Sequence, residues 1–277
     1  MNAKGIVKNV MPPILVNALR KISDGFRRDI VRFTGDFPSW EDAQQASTGY
    51  AAPIIVARVR SACLRVKNRE AVWERDSVVF DRIEYPFPLL AGLLRAAAEN
   101  ECRLSVLDFG GSLGSSYFQC RNFLPSLREL RWSIVEQPAY VAAGKTDFEN
   151  EELRFYQSIE DCMREQNPNV LLLSGVVQYL PKPHSFIAEV VQRGFPNIII
   201  DRTGFLRGGR DRLTTQHVPE WIYPAVYPCW FLSEDRFLAE FSRHYELLSS
   251  FPVPDTYELA GDETYFKGFI FKRKDGR

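Results

Sequence analysis

Between residues 104 and 201 the sequence alternates short apolar runs with segments of helical character. The runs are residues 104–109, 132–136, 170–174 and 197–201. The last two, VLLLS and NIIID, show no polar alternation, which is typical of strands that are buried on both faces of a parallel sheet. Two further runs, 245–251 and 265–272, flank a proline-containing loop and predict an antiparallel pair. The pattern therefore predicts an α/β fold whose mostly parallel sheet has an antiparallel edge.

Composition excludes several classes of site. The 277 residues include 35 basic and 35 acidic side chains, so the sequence predicts no bulk electrostatic binding to nucleic acid. Five cysteines without a close pair predict neither a disulfide framework nor a CxxC zinc or redox site, and three histidines offer few ligands to zinc. Because the sequence shows neither a membrane-length apolar run nor a signal-peptide pattern, we expect a cytoplasmic protein without a metal site.

The chain divides into three predicted segments. Residues 1–35 carry seven basic and two acidic side chains and, after Pro12-Pro13, an amphipathic helical pattern. This segment predicts either a cover docked on the rest of the protein or a contact with an anionic membrane surface. Residues 36–103 predict a helical cap, loop-rich rather than stranded, with Ser39 as a helix N-cap. Residues 104–277 form the predicted α/β domain.

A glycine-rich turn, Asp108-Phe-Gly-Gly-Ser-Leu-Gly114, follows the first predicted strand. Such a turn brings the backbone close to a ligand at a helix N-terminus. A dinucleotide site requires G-x-G-x-x-G, and Phe109 occupies the position of its first glycine. An S-adenosylmethionine turn has an acid followed by G-x-G-x-G, which the sequence matches except for Ser112, a small residue that fits if its φ stays negative. Glu136 ends the second strand, 22 residues beyond Gly114, and predicts a carboxylate that accepts ribose hydroxyls.

These residues resemble the class I S-adenosylmethionine-dependent methyltransferase fold, a Rossmann-like, mostly parallel seven-stranded sheet with an antiparallel C-terminal strand. More narrowly, several strings are similar to one bacterial family of proposed methyltransferases, whose genes often lie in surface-polysaccharide clusters. The strings are SWEDA (39–43), STGY (47–50), ERDS (74–77), LDFGGSLGSSYFQ (107–119), VEQ (135–137), LSGVVQYL (173–180) and IIIDRT (198–203). The resemblance implies S-adenosylmethionine as cofactor and leaves the substrate open.

The resemblance also implies a set of cofactor-binding residues. The glycines of the turn would surround the methionine portion, Asp108 would lie near its amino group, and Glu136 would bind the ribose. Residues 157–159, which follow the third strand of this fold, would flank the adenine. The run 170–174 corresponds to its fourth strand, and the end of that run would line the reaction centre. The full set is Asp108, Gly110, Gly111, Ser112, Gly114, Glu136, Gln137, Ser158, Ser174, Gly175 and Gln178.

The end of the fourth strand restricts the reaction. Residues 174–177 read Ser-Gly-Val-Val, without the N/D-P-P-Y turn that enzymes of this fold use to methylate base or amide nitrogens, and without the carboxylate of a metal-assisted catechol site. A hydroxyl acceptor needs a base within hydrogen-bond reach, and the loop predicted after the fifth strand, residues 197–201, supplies candidates. We choose His217 in that loop because histidine titrates near neutral pH. Asp201 either orients His217, binds substrate or caps the following turn. Asp201 and His217 are therefore the catalytic candidates.

Arginines and tyrosines supply candidates for acceptor binding. Four arginines, at positions 202, 207, 210 and 212, either grip an oxyanion of the acceptor or remain solvated. Aromatic residues and Arg75 of the N-terminal segments are candidates for closing the pocket. The predicted substrate-binding residues are Tyr50, Arg75, Tyr117, Arg202, Tyr223 and Tyr227.

The leading hypothesis is an S-adenosylmethionine-dependent methyltransferase that methylates an oxygen of a carbohydrate, nucleotide-sugar or glycan intermediate in surface-polysaccharide biosynthesis. The alternatives are a non-catalytic S-adenosylmethionine-binding module in glycan assembly and, with less support, an NAD-dependent Rossmann enzyme. We expect a small-molecule or glycan acceptor, an anionic one being an option, and no nucleic acid. Peripheral contact of residues 1–35 with the inner membrane face is an alternative to a purely cytoplasmic location, and the sequence defines no oligomeric state.

Overall fold

The computed structural model describes residues 31–48, 53–255, 257 and 259–275. Its helices are α1 (Trp40–Gln45), α2 (Pro53–Lys67), α3 (Phe87–Ala98), α4 (Ser115–Cys120), α5 (Pro138–Asp147), α6 (Ile159–Glu165), α7 (Pro183–Arg193) and α8 (Glu234–Ala239), with 3-10 turns at Arg121–Phe123 and Val177–Tyr179. Its strands are β1 (Arg32–Thr34), β2 (Trp73–Arg75), β3 (Val78–Phe80), β4 (Arg103–Phe109), β5 (Glu129–Val135), β6 (Leu153–Tyr156), β7 (Val170–Ser174), β8 (Asn197–Leu206), β9 (Arg212–Val218), β10 (Ala225–Ser233), β11 (Tyr245–Val253) and β12 (Thr264–Arg273). Among the described helices, none is long and apolar enough to cross a membrane.

Seven strands form the main sheet in the order β6-β5-β4-β7-β8-β12-β11. The first five are parallel, while β12 is antiparallel to both β8 and β11. The apolar run 170–173 is fully buried, as expected for a strand covered on both faces. The predicted Rossmann-like class, with its antiparallel C-terminal strand, is confirmed.

The chain reverses direction across the sheet at β4. It leaves β4 toward β5 and β6 and then returns to the other side of β4 with β7. The carboxyl ends of β4 and β7 therefore flank a topological switch point, the place where open α/β sheets bind ligands.

Three strands extend this sheet, two of them where the sequence predicts a loop after the fifth strand. The far end of β8 pairs with β10, which continues to β9 and then to β1, so the whole sheet has ten strands. Polar residues of β9 are buried in this extension, among them Thr214, Thr215 and Gln216. The prediction of a loop after the fifth strand is wrong because a polar strand that pairs on both sides lacks the apolar pattern by which the other strands are found.

The N-terminal part combines helices with a hairpin. Ser39 caps α1 as predicted, since its Oγ accepts a hydrogen bond from the Asp42 amide (3.1 Å). The predicted helical and loop-rich character of 36–103 misses β2 and β3, which form a hairpin through Asp76 and Ser77. Both turn residues have positive φ, 50° and 68°, as a two-residue type I′ turn requires. The predictions for residues 1–30 lie outside the described residues.

Candidate active site

The glycine turn, residues 108–114, lies at the carboxyl end of β4 beside the switch point. Gly110 (φ 71°) and Gly114 (φ 101°) have left-handed backbone conformations, and the Gly110 amide donates to the Val135 carbonyl at the end of β5 (2.9 Å). Ser112 has φ 55°, so the expectation of a negative φ at this position is wrong. A left-handed non-glycine residue costs on the order of 1 kcal/mol, and such strain concentrates at functional sites.

Asp108 lies beneath this turn and is 1% exposed. Its Oδ2 accepts a hydrogen bond from Trp132 Nε1 (3.0 Å), and its Oδ1 has no hydrogen-bond partner among the described residues. Burial raises the pKa of Asp108 to about 7, against the lowering effects of the Trp132 hydrogen bond and the Arg202 charge. A Cβ on Gly111 would lie 2.5 Å from the Asp108 carboxyl carbon, so only glycine leaves room for that carboxyl group.

Glu136 follows β5 directly and lies beside the same turn. Its amide donates to the Tyr156 carbonyl (3.1 Å), and its Oε2 accepts a hydrogen bond from the Gln137 amide (2.6 Å). Burial raises the pKa of Glu136, while hydrogen bonds from the Gln137 and Ser112 amides oppose that rise. The carboxylate is thus held at the end of β5, where a ribose would need it.

Gln137 and Ser158, two of the predicted cofactor residues, stand at helix N-termini. Gln137 is the residue before α5, and its side chain is exposed. Ser158 caps α6, because its Oγ accepts from the Asp161 amide (3.0 Å) and donates to the Asp161 carboxylate (2.7 Å). The Ser158 hydroxyl is therefore already used within its own helix.

The end of β7 connects the turn to β8. The Gly175 amide donates to the Asp201 carbonyl (2.8 Å), and Ser174 Oγ donates to Asp201 Oδ2 (3.4 Å). Gln178 Nε2 donates to the Arg202 carbonyl (3.1 Å), whereas the buried Gln178 Oε1 has no partner among the described residues. Predicted residues from the fourth and fifth strands of the main fold thus lie together at the switch point.

Arg202 occupies an irregular position in β8. Thr203 pairs with Lys267 and Ile200 with Phe269, so Asp201 and Arg202 oppose a single residue of β12 in a β-bulge. Arg202 has φ 53°, and a Cβ on Gly175 would lie 2.8 Å from its Nη2.

Burial acts to lower the pKa of Arg202, but nearby negative charges raise it above its usual value. The carboxylates are those of Asp76, Asp201 and Asp255. Burial likewise raises the pKa of Asp201, against the opposing charge of Arg202. Arg202 is therefore a permanently charged group among acids at the mouth of the site.

The ERDS string, residues 74–77, brings the hairpin to this site. Glu74 is 2% exposed, and its carboxylate accepts hydrogen bonds from Ser115 Oγ, on the first residue of α4, and from the Ser77 amide (3.3 Å). Arg75 forms an ion pair with Asp255 (3.8 Å) and lies over the Trp73 ring. The string was part of the family resemblance, yet sequence reasoning gave no role to its two acids, Glu74 and Asp76.

Three tyrosines and a glutamine form a buried chain of hydrogen bonds. Tyr179 donates to Gln216 Oε1 (2.7 Å), Gln216 Nε2 donates to the Tyr227 hydroxyl (3.1 Å), and the Tyr227 and Tyr223 hydroxyls are 3.4 Å apart. Burial raises the pKa of each tyrosine, and the Asp76 charge adds to this effect. We call the side chains around Arg202 the acceptor wall; they are Asp76, Tyr179, Asp201, Arg202, Tyr223 and Tyr227.

His217 lies away from the acceptor wall. Its Nε2 is 2.8 Å from Thr34 Oγ1 and 3.3 Å from Thr215 Oγ1, on β1 and β9. Because side chains alternate along a strand, His217 points to the opposite face of β9 from Gln216, which contacts the tyrosines. Of the three alternatives for Asp201, the one in which it orients His217 is therefore wrong.

Other predicted acceptor residues have structural partners. Tyr117 is buried against the Trp132 ring and donates its hydroxyl to Glu152 (2.7 Å), so its hydroxyl is used in the core. Tyr50 lies outside the described residues. Of the two alternatives for the four clustered arginines, a shared grip on an oxyanion is not supported, because three of them pair with acids. The pairs are Arg207–Glu263, Arg210–Asp36 and Arg212–Asp262.

No protein-family model matches the chain, and no curated protein matches it significantly. The N-terminal domain of EvdMO1, crystallised in the presence of SAH and D-fucose, is 14% identical, with a TM-score of 0.45 over 78% of this chain and 97% of that chain. A methyltransferase from Clostridium acetobutylicum ATCC 824 is 10% identical, with a TM-score of 0.44 over 77% of this chain and 97% of that chain. CalS10, an amino pentose methyltransferase from Micromonospora echinaspora, is 14% identical, with a TM-score of 0.41 over 68% of this chain and 91% of that chain. Likenesses this distant transfer neither activity nor substrate, so the fold assignment rests on strand order.

Proposed function

We propose that the chain is an S-adenosylmethionine-dependent methyltransferase. The observation that carries this proposal is the glycine turn at the switch point, where the buried Asp108 carboxyl group has one unpaired oxygen. S-adenosylmethionine carries a sulfonium and an ammonium group, so a carboxylate with a free oxygen suits it better than it suits the pyrophosphate of NAD. Glu136, at the end of the next strand, is positioned to accept the ribose hydroxyls.

The bound cofactor would supply an activated methyl group, and the protein would align the acceptor and exclude water. In this proposal the glycine turn holds the methionine portion and Glu136 orients the ribose. The acceptor wall lies at the far side of β7, where Ser174 and Gly175 separate it from the turn. The two halves of the site therefore flank the end of one strand.

For the acceptor we propose a hydroxyl of a carbohydrate, nucleotide sugar or glycan. Asp76, Asp201 and Arg202 offer acidic acceptors and a guanidinium donor side by side with tyrosine hydroxyls, a mixture that suits a polyhydroxylated molecule. Asp201 stays our candidate base, and Asp76 replaces His217 beside it, because a base must reach the acceptor hydroxyl. A role in surface-polysaccharide biosynthesis rests on the resemblance of the sequence strings alone.

Calorimetric titration tests the cofactor. We expect both S-adenosylmethionine and S-adenosylhomocysteine to bind, with affinity at least about tenfold weaker in Glu136→Ala because a charge-assisted contact is lost. Glu129→Ala is the matched control, since Glu129 begins the same strand and pairs with Arg131 far from the turn. Binding of NAD instead of the two sulfur ligands would overturn the proposal.

A second experiment tests catalysis. Transfer of isotope-labelled methyl from S-adenosylmethionine to a panel of nucleotide sugars should give a labelled product, and Asp201→Asn should lower the rate without weakening cofactor binding. Cofactor binding without transfer to any sugar, lipid-linked glycan or small hydroxyl compound would favour a non-catalytic binding module.

A further inference from the structure

Two oppositely charged side chains lie on the strands that flank β7. Asp108 lies near the end of β4 and Arg202 lies at the bulge of β8, and β7 separates these strands in the sheet. Neighbouring strands are about 4.8 Å apart, so the two backbones are separated by roughly 10 Å. The charges act on each other, because Arg202 lowers the pKa of Asp108 against the effect of burial.

Each charged group packs against a glycine. The Asp108 carboxyl carbon lies 2.5 Å from where a Cβ of Gly111 would be, and Arg202 Nη2 lies 2.8 Å from where a Cβ of Gly175 would be. Any larger residue at either position would displace the charged group. Glycine backbone thus lies beside each charged group, on either side of the end of β7.

Neither group is neutralised by a direct partner in the described part of the chain. Asp108 Oδ1 accepts no hydrogen bond, and Arg202 forms no salt bridge although acids surround it. Nearby arginines behave differently: Arg75, Arg210 and Arg212 each pair with an aspartate. A charged side chain that is held in a strained, bulged conformation and left unpaired is a candidate for ligand binding.

A free α-amino acid group matches this arrangement. Its ammonium and carboxylate lie about 3 Å apart, and a hydrogen bond of about 2.8 Å at each end extends the span to roughly 9 Å. We propose that Asp108 and Arg202 together bind the amino-acid end of the cofactor, with Asp108 accepting from the ammonium and Arg202 donating to the carboxylate.

This inference rests on the proposed function and moves Arg202 from acceptor binding to cofactor binding. The acids around Arg202 then have a separate effect, because they keep the guanidinium charged while its open side faces the cofactor carboxylate. The acceptor would be recognised by the remaining members of the acceptor wall. The ammonium and carboxylate of the cofactor would thus be bound by side chains of β4 and β8. The contacts to adenine and ribose would come from other elements.

The test compares S-adenosylhomocysteine with 5′-methylthioadenosine, which has the same adenine, ribose and thioether but no amino-acid group. Calorimetry on the full chain should show that Arg202→Gln weakens S-adenosylhomocysteine roughly 10- to 100-fold and leaves 5′-methylthioadenosine within about twofold. Arg131→Gln is the matched control, an exposed arginine of β5 that already pairs with Glu129, and should change neither affinity. Asp108→Asn should show the same selective loss as Arg202→Gln.

A ligand-side variant keeps the test independent of folding. Wild-type protein should bind decarboxylated S-adenosylmethionine at least about tenfold more weakly than S-adenosylmethionine, because only the carboxylate is missing. Equal affinities for these two ligands, or an equal loss of both thioether ligands in Arg202→Gln, would overturn the inference and leave the proposed function intact. If folded wild-type protein bound none of these ligands, the proposed function would fail first.

Discussion

The glycine turn and the acceptor wall lie at the same edge of the sheet and are built in different ways. The turn is one continuous stretch, residues 108–114, completed by a single carboxylate from the next strand. The acceptor wall is assembled from side chains far apart in sequence, carried by the β2–β3 hairpin, the turn after β7, the bulge of β8 and the region of β10.

The glycine turn and the acceptor wall should therefore respond to different kinds of substitution. A site made of backbone depends on residues that leave space, so adding one methyl group should disrupt it. A site made of side chains depends on the elements that hold them, so it should be disrupted through contacts outside the wall.

Asp108→Asn should separate ligand binding from stability within the glycine turn. The pKa of Asp108 is about 7 in the folded protein, against an ordinary value of 3.8 for the unfolded chain, so wild-type stability falls as pH rises between these values. The asparagine variant avoids that loss and should be more stable by on the order of 2 to 4 kcal/mol at pH 8, with a much smaller gain at pH 4.5. Urea unfolding at both pH values measures this.

The same variant should lose affinity for S-adenosylhomocysteine while it gains stability. Trp132→Phe, which removes the hydrogen bond to Asp108 but keeps an aromatic ring, serves as a comparison and should not show the pH-dependent gain. A stability difference between wild type and Asp108→Asn that stays constant with pH would show that Asp108 is not the titrating group.

Gly111→Ala tests whether the turn works by leaving space. The added Cβ would lie 2.5 Å from the Asp108 carboxyl carbon, and Gly111 has no left-handed conformation to add strain. We expect roughly 100-fold weaker binding of S-adenosylhomocysteine by calorimetry, since one of the two groups must move. Gly208→Ala, where a Cβ meets nothing within 4 Å, should leave binding unchanged. Full affinity in Gly111→Ala would contradict a backbone-made site.

The sequence predicted the glycine turn well because its chemistry is local. Asp108, Gly110 and Gly111 stand where the pattern placed them, and only the φ of Ser112 was wrong, since the tight turn forces a left-handed residue there. The apolar runs likewise predicted the buried strands, because burial on both faces needs an unbroken apolar sequence.

The acceptor wall could be predicted only in part. Asp201 and Arg202 were selected because they follow a strand, but the bulge that redirects Arg202 depends on pairing with β12. His217 was selected for its chemistry, and strand pairing with β1 places it on the other face. Asp76 reaches the wall through a hairpin that only tertiary contacts reveal, although the dense polar string around it was a usable signal.

Glu74→Ala should affect the wall and leave the turn's ligand binding intact. It removes the buried carboxylate that accepts from Ser115 and the Ser77 amide, so it should destabilise the protein by about 1 to 3 kcal/mol in urea unfolding. Binding of S-adenosylhomocysteine should stay within about threefold. Glu70→Ala, an exposed acid on the same segment, should change stability by less than about 0.5 kcal/mol. A large loss of cofactor affinity in Glu74→Ala would mean that hairpin and turn act as one unit.

His217→Ala gives the smallest expected effect and tests the boundary of the acceptor wall. Its ring bonds two threonine hydroxyls at a half-exposed edge, so its loss should cost about 0.5 to 1 kcal/mol in urea unfolding. S-adenosylhomocysteine affinity and methyl transfer should both stay within about twofold of wild type.

Gln216→Leu, one residue away on the opposite face, breaks the tyrosine chain and should lower methyl transfer at unchanged cofactor affinity. The two neighbouring residues would then differ in their effect on methyl transfer only because successive side chains of β9 point to opposite faces of the sheet. If His217→Ala lowered methyl transfer more than Gln216→Leu, the catalytic face of β9 would be the one that contacts Thr34. The acceptor wall would then have been assigned to the wrong face of β9.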